Sequence, residues 1–99
     1  MKFLLAGILA GFFFVTAAHA EYRAFWVDTF NTALNNHDDV VAVVANARSA
    51  RANALFVQVR RRGDAWYAHS LEPAPDFVPI AAGFDPLADV IAVAHAVAG

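Results

Sequence analysis

Cysteine is absent from the whole chain, which removes disulfides and thiolate metal sites and excludes an N-terminal lipid anchor on a cysteine. Lysine occurs once, at Lys2. Beyond residue 20 the cations are six arginines against nine carboxylates, a formal charge near −3. That balance gives no reason to expect a nucleic-acid partner. There are no internal repeats and no low-complexity segment. Long uncharged apolar runs are missing too, apart from one near the start.

That run is Phe3 to Ala18, preceded by Lys2 and followed by Ala18-His19-Ala20. A positive residue, an apolar stretch and a small-x-small site describe a secretory signal peptide, with cleavage expected between Ala20 and Glu21. Its 16 residues fall short of the roughly 20 needed by a spanning helix, so no stable membrane anchor is expected after cleavage. The expected location is secreted or periplasmic. The remaining segment, 21–99, is small for a domain without disulfides and must rely on its apolar core.

The alternation in Arg23 to Asp28 (RAFWVD) predicts a first strand, with Phe25 and Val27 on one face and Ala24, Trp26 and Asp28 on the other. Thr29 to His37 reads as an Asn-rich loop. A helix is expected from Asn36, with Asn36 as cap and Asp39 completing a short-armed capping box. Its buried stripe is expected at Val40, Val41, Val44 and Ala47. The helix ends near Arg51, at a position where a glycine is usual; a left-handed arginine there costs roughly 1 kcal/mol.

Asn53 to Arg60 reads as the second strand, with Leu55, Val57 and Val59 on one face and Phe56, Gln58 and Arg60 on the other. Apolar residues on both faces predict a strand covered on both sides, as in parallel sheets. From Arg61 to Phe84 there is no periodicity, and Pro73, Pro75, Pro79 and Gly83 interrupt the chain; long loops of this kind are often functional. Asp85 caps a second helix with Pro86 at its first position. Leu87, Val90, Ile91, Ala94 and Val97 form its expected stripe, and Gly99 its C-terminal cap. The order is that of two β/α units, an α/β class with a parallel sheet.

In such folds ligands bind at the carboxyl ends of the strands. Asp28, Gln58, Arg60 and the loop from Arg61 lie at that end. The run LFVQVRRRGDAWY (Leu55–Tyr67) is the most informative, because an apolar strand passes directly into arginines, Gly63, Asp64, Trp66 and Tyr67. Arg60 to Arg62 is too short for a nucleic-acid patch, and Arg62-Gly63-Asp64 spells an adhesion tripeptide that is common by chance. His37, His69 and His95 share no metal-ligand spacing, so no metal and no cofactor is expected. His95, beside the apolar stripe, is expected to be partly buried, and Glu72 is expected to order the loop.

The segments RAFWVD, ANALFVQVRRRGDAWY, SLEP and GFDPLADVIAVAHAVAG resemble the start of glycoside hydrolase-like family 10 proteins, exported bacterial proteins with a (β/α)8 TIM barrel. The resemblance implies that 21–99 is the N-terminal part of such a barrel, its first two β/α units. The family's next strand, with a His-Ala-Trp pattern, does not follow, and Arg51 stands where the resembling pattern has glycine. The activity implied is glycoside hydrolysis of bacterial cell-wall glycan (peptidoglycan) or a related polysaccharide.

Glycosidases commonly use a pair of carboxyl groups. Asp28 and Asp64 are the best-placed candidates in this chain, with the principal acid and base expected on later strands. Asp28 has an alternative role in starting its loop, and Asp64 in pairing with Arg60 or Arg62. Trp26, Gln58, Arg60, Asp64, Trp66 and Tyr67 are the candidate substrate-binding residues. Trp66 and Tyr67 offer ring faces for sugars or, alternatively, plug the loop onto the rim. Gln58 and Arg60 suit hydroxyls or a carboxylate; Arg60 equally suits an ion pair with Asp28 or Asp64. Two other readings are a truncated, non-catalytic product and a small secreted carbohydrate-binding piece.

Overall fold

The computed structural model describes residues 21–97; the signal-peptide and Gly99 cap expectations, and the side chain of Val97, lie outside the described part. The elements are β1 (Ala24–Val27), α1 (His37–Ser49), β2 (Ala54–Val57) and α2 (Pro86–Val97). β1 and β2 pair in parallel, Ala24 opposite Ala54 through Val27 opposite Val57. The strands are shorter than the alternation predicts, but the chains stay together at both ends. The Asn53 N–H donates to Arg23 O (2.9 Å) and the Gln58 N–H to Val27 O (3.0 Å). The described residues thus form a mixed α/β structure of two helices and a two-stranded parallel sheet.

Local chemistry explains where α1 begins. Asn36 is extended (φ −153°) and its Oδ1 accepts the Asp39 N–H at 2.9 Å, satisfying one of the donors a helix start leaves unpaired. The Asp39 carboxylate reaches back to the Asn35 N–H (2.9 Å), one residue earlier than an ordinary capping box. At the other end the Arg51 N–H donates to Arg48 O and the Ala52 N–H to Ala47 O, with Arg51 at φ 60°. This is a Schellman closure with arginine at the position glycine favours.

The buried stripe of α1 is Val40, Val43, Val44 and Ala47, which corrects the expected set: Val43 replaces Val41, which is 43% exposed. The run VVAVV is apolar in either phase, and the helix places 40, 43, 44 and 47 on one side. On α2, Val90 is buried and Leu87 and Ala94 half-buried, but Ile91 is exposed and Val93 packs against the core in its place. Asp85 Oδ1 caps this helix by accepting the Ala88 N–H (3.0 Å), while Oδ2 accepts the Ala68 N–H (3.0 Å) and ties the long loop to the helix start. His37 Nδ1 and Asp89 Oδ2 (2.8 Å) join the two helices. His95 is exposed, not partly buried as expected.

Both helices lie on the face carrying Phe25, Val27, Leu55 and Val57, which pack into one core with Val40, Val44, Trp66 and Val90. Among the described residues no element covers the opposite face. Trp26 and Phe56, paired in register, are 63% and 59% exposed and meet edge to face at 6.5 Å. The expectation of a sheet covered on both faces is therefore not met: among the described residues every helix lies on one side.

Candidate functional site at the strand ends

Both strands run out into polar loops at the same end of the sheet, and side chains weld the loops together. Asp28 starts the first of them. Its Oδ1 accepts the Phe30 N–H (2.9 Å), its Oδ2 accepts Asn31 Nδ2 (2.7 Å), and its carbonyl accepts the Asn31 and Thr32 N–H groups. Both carboxylate oxygens are occupied in shaping the turn. Gln58 Oε1 bridges to the neighbouring strand end, accepting the Thr29 N–H (3.0 Å) and hydroxyl (3.2 Å).

The three arginines take three different environments. Arg60 is exposed, and its Nε donates to both carboxylate oxygens of Glu72 (2.8 and 2.7 Å). Its partner is Glu72, not the Asp28 or Asp64 anticipated from the sequence. Hydrogen bonding to Arg60 holds the Glu72 carboxyl below the usual glutamate range, and the same bond, reinforced by charge attraction, raises Arg60. Glu72 orders the loop as expected, its own N–H donating to Ser70 Oγ (3.0 Å).

The Arg61 side chain is largely covered, with 9% of it exposed. Its guanidinium lies over the Phe30 ring (5.1 Å) and the Trp66 ring (4.6 Å), and Nη1 donates to Thr29 O (2.9 Å). Stacking on desolvated rings favours such a cation by about 2 kcal/mol. Arg62 is exposed and lies over Phe30 at 5.7 Å.

Asp64 is buried, and its Oδ1 accepts the Arg61 and Arg62 N–H groups (3.2 and 3.3 Å) while Gly63 turns through φ 71°. Its nearest cation is Arg61, with Nε 3.9 Å from Oδ2, rather than Arg60 or Arg62. Trp66 is 1% exposed, held by its N–H to Val59 O (2.9 Å) and by the Leu87 N–H to its carbonyl (3.0 Å). The indole plugs the loop onto the core, so its ring faces are not presented to a ligand. Tyr67 stays at the surface, 36% exposed. Trp26 sits on the bare sheet face.

A cavity of about 190 Å³ opens among these loops, lined by Thr29 to Ala33, Asn35, Arg61, Trp66 and Val78. Among the described residues two buried side-chain atoms have no hydrogen-bond partner, Asn35 Oδ1 and Arg61 Nε; both residues contribute to the lining, but the two atoms themselves have no exposed surface. The structure thus brings Asp28, Gln58 and Asp64 together as scaffolding and centres the unpaired polar groups on residues the sequence reading did not single out. Arg61 had a signal: it continues the phase of Leu55, Val57 and Val59, the buried face of the strand. Asn35, in an Asn-rich loop, had none. A larger, mainly apolar groove of about 440 Å³ lies between α1, β2 and α2, where Val44, Leu55, Val90 and Ile91 share the lining with Arg48, Asn53 and His95. No family model, curated protein or solved structure matches the chain.

Proposed function

We propose that this chain supplies the glycan-holding strand ends of an exported, glycoside hydrolase-like (β/α)8 barrel acting on bacterial cell-wall glycan or a related polysaccharide. The observation that carries this reading is the polar cavity at the carboxyl ends of two parallel strands, where α/β folds bind ligands. The bare Trp26–Phe56 face supports it as well, since closing a barrel turns the helix-free face inward. Hydrolysis needs one carboxyl group that gives up a proton and another that attacks or activates water. Asp28 and Asp64 both accept backbone N–H groups, which suits positioning and leaves proton transfer to other carboxylates.

A second reading, a carbohydrate-binding piece without catalysis, is favoured by the exposed Trp26 and Phe56 rings, which give an apolar platform for sugar faces. Retention of the full chain on insoluble peptidoglycan, with reducing-end release followed in parallel, tests both. Retention without release is expected from the holding role. Retention lost in Trp26→Ala but kept in Arg61→Gln favours the platform. No retention on any glycan defeats both readings.

A further inference from the structure

The groove between α1, β2 and α2 changes character along its length. Val44, Val59 and Leu87 line one end, and Leu55, Val90 and Ile91 the middle, all of them carbon. Every polar side chain of the lining, Arg48, Asn53 and His95, lies at the other end, beside the start of β2 and the last turns of both helices. The walls are open to a ligand: Ile91 is 48% exposed, Leu55, Val57 and Leu87 are half-buried, and Arg48 and His95 are exposed.

Charge is distributed in the same sense. Arg23, Arg48 and Arg51 gather at this end of the strands, where Arg23 Nε donates to Arg51 O (2.8 Å). From Asp28 to Asp89 every carboxylate belongs to the opposite end, on a strand-end loop or in the first turn of a helix. The ion pairs among the described residues are His37–Asp89, Arg60–Glu72 and Arg61–Asp64, so Arg48 and His95 have no carboxylate partner there. Asn53 is committed, its Oδ1 to the Arg23 N–H (2.7 Å) and its Nδ2 to Glu21 O (2.8 Å). A helix end carries only about half a negative charge. In α1 the last carbonyls are already taken, Asn46 O, Ala47 O and Arg48 O accepting the Ala50, Ala52 and Arg51 N–H groups. An unpaired guanidinium, and an imidazole that keeps a donor in either protonation state, thus stand at one end of an apolar groove.

We propose that this groove binds a single medium-chain alkyl carboxylate, its chain along Leu55, Val57, Val90 and Ile91 and its head group at Arg48 and His95. The size agrees: about 440 Å³ falls within the roughly 300–1,000 Å³ of small-molecule pockets. Along the strand side, Asn53 to Val59 spans about 20 Å, which suits an extended alkyl chain. Charge complementarity selects the head group, because an unpaired arginine favours a carboxylate and repels an ammonium. The inference stands apart from the glycan reading: the groove shares no lining residue with the strand-end cavity. In a closed barrel a neighbouring strand would compete for these walls, so it is the chain by itself that is expected to bind.

The test is calorimetric titration of the full chain with monomeric decanoate, hexanoate and decylammonium. Decanoate is expected to bind at least about ten-fold more tightly than hexanoate, because each further buried methylene adds affinity. It should also exceed decylammonium by at least about ten-fold. Arg48→Gln should erase most of the preference for carboxylate over ammonium and leave the dependence on chain length. Ile91→Glu should weaken decanoate about ten-fold or more, since it sets a like charge beside the ligand. Both positions are exposed, so the native thermal melt is expected to persist in each variant. No binding of decanoate overturns the proposal, as does equal binding of decylammonium. Decanoate binding unchanged by both variants also overturns it, by placing the amphiphile elsewhere, as on the apolar Phe3–Ala18 run. Sedimentation of the same samples covers the remaining occupant: a dimer that Ile91→Glu dissociates, with no decanoate bound, gives the groove to a second copy and overturns the proposal too. None of these results touches retention on peptidoglycan.

Discussion

The layer beneath the sheet and the layer at its strand ends are built on opposite terms. Beneath the sheet, Val27, Val40, Val44 and Val90 pack carbon on carbon, and position follows from helical and strand periodicity. At the strand ends Asp28 and Asp64 shape their own turns, while Gln58 and Arg61 reach Thr29, 29 and 32 positions away, through hydrogen bonds. Trp66 belongs to both: its indole completes the core and its face carries the Arg61 guanidinium. The difference teaches that the fold's stability resides mainly in the first layer, while the second spends its polar groups on holding geometry.

The sharpest way to break that division is at the residue shared by both layers. Trp66→Ala should cost about 3–5 kcal/mol in chemical denaturation and remove the Arg61 platform together with the core contact. Next comes the phase of α1. Val40→Ala should cost roughly 2 kcal/mol, whereas Val41→Ala should change stability by less than about 0.5 kcal/mol; equal losses would contradict the stripe. The two ends of α1 follow, with opposite signs. Asn36→Ala should lose about 1 kcal/mol with the cap, and Arg51→Gly should gain up to about 1 kcal/mol by relieving the left-handed arginine.

The smallest effect concerns the exposed Arg60–Glu72 pair. Its hydrogen bond holds the folded Glu72 carboxyl below the ordinary glutamate value, so the stabilisation is present above the unfolded value. It is lost as pH falls through the folded one. Carbon-detected titration of the Glu72 carboxyl should show a low midpoint, and Arg60→Gln should return it to the ordinary range. Exposure limits the contribution of such a pair to stability, so the global melt should move little.

Much of the carbon layer was legible in the sequence because its causes are local. The Asn36 cap, the Asp85-Pro86 start, the left-handed Arg51 and the alternating faces of both strands each depend on a few neighbouring residues. VVAVV defeated the assignment of Val41 against Val43 because four valines leave the phase open. Leu34, buried in a loop read as polar, and the Arg60–Glu72 pairing depend on the path of non-periodic chain, which no spacing rule reaches. The same holds for the cavity. Asp28 and Asp64 were rightly placed at the strand ends, but their partners came from the fold of the loops, and the unpaired groups fell on Asn35 and Arg61.

Adjacent arginines supply the most direct test of the central claim, that the loops at the strand ends lock Arg61 inside a polar cluster while Arg60 pairs at the surface. The side-chain Nε–Hε groups of both can be followed in one nitrogen-correlated NMR measurement of hydrogen exchange on the full chain. Arg61 Hε, with no exposed surface and its guanidinium over Trp66, should exchange far more slowly with solvent than Arg60 Hε in the exposed Glu72 pair. Exchange at Arg61 as fast as at Arg60 would contradict the account.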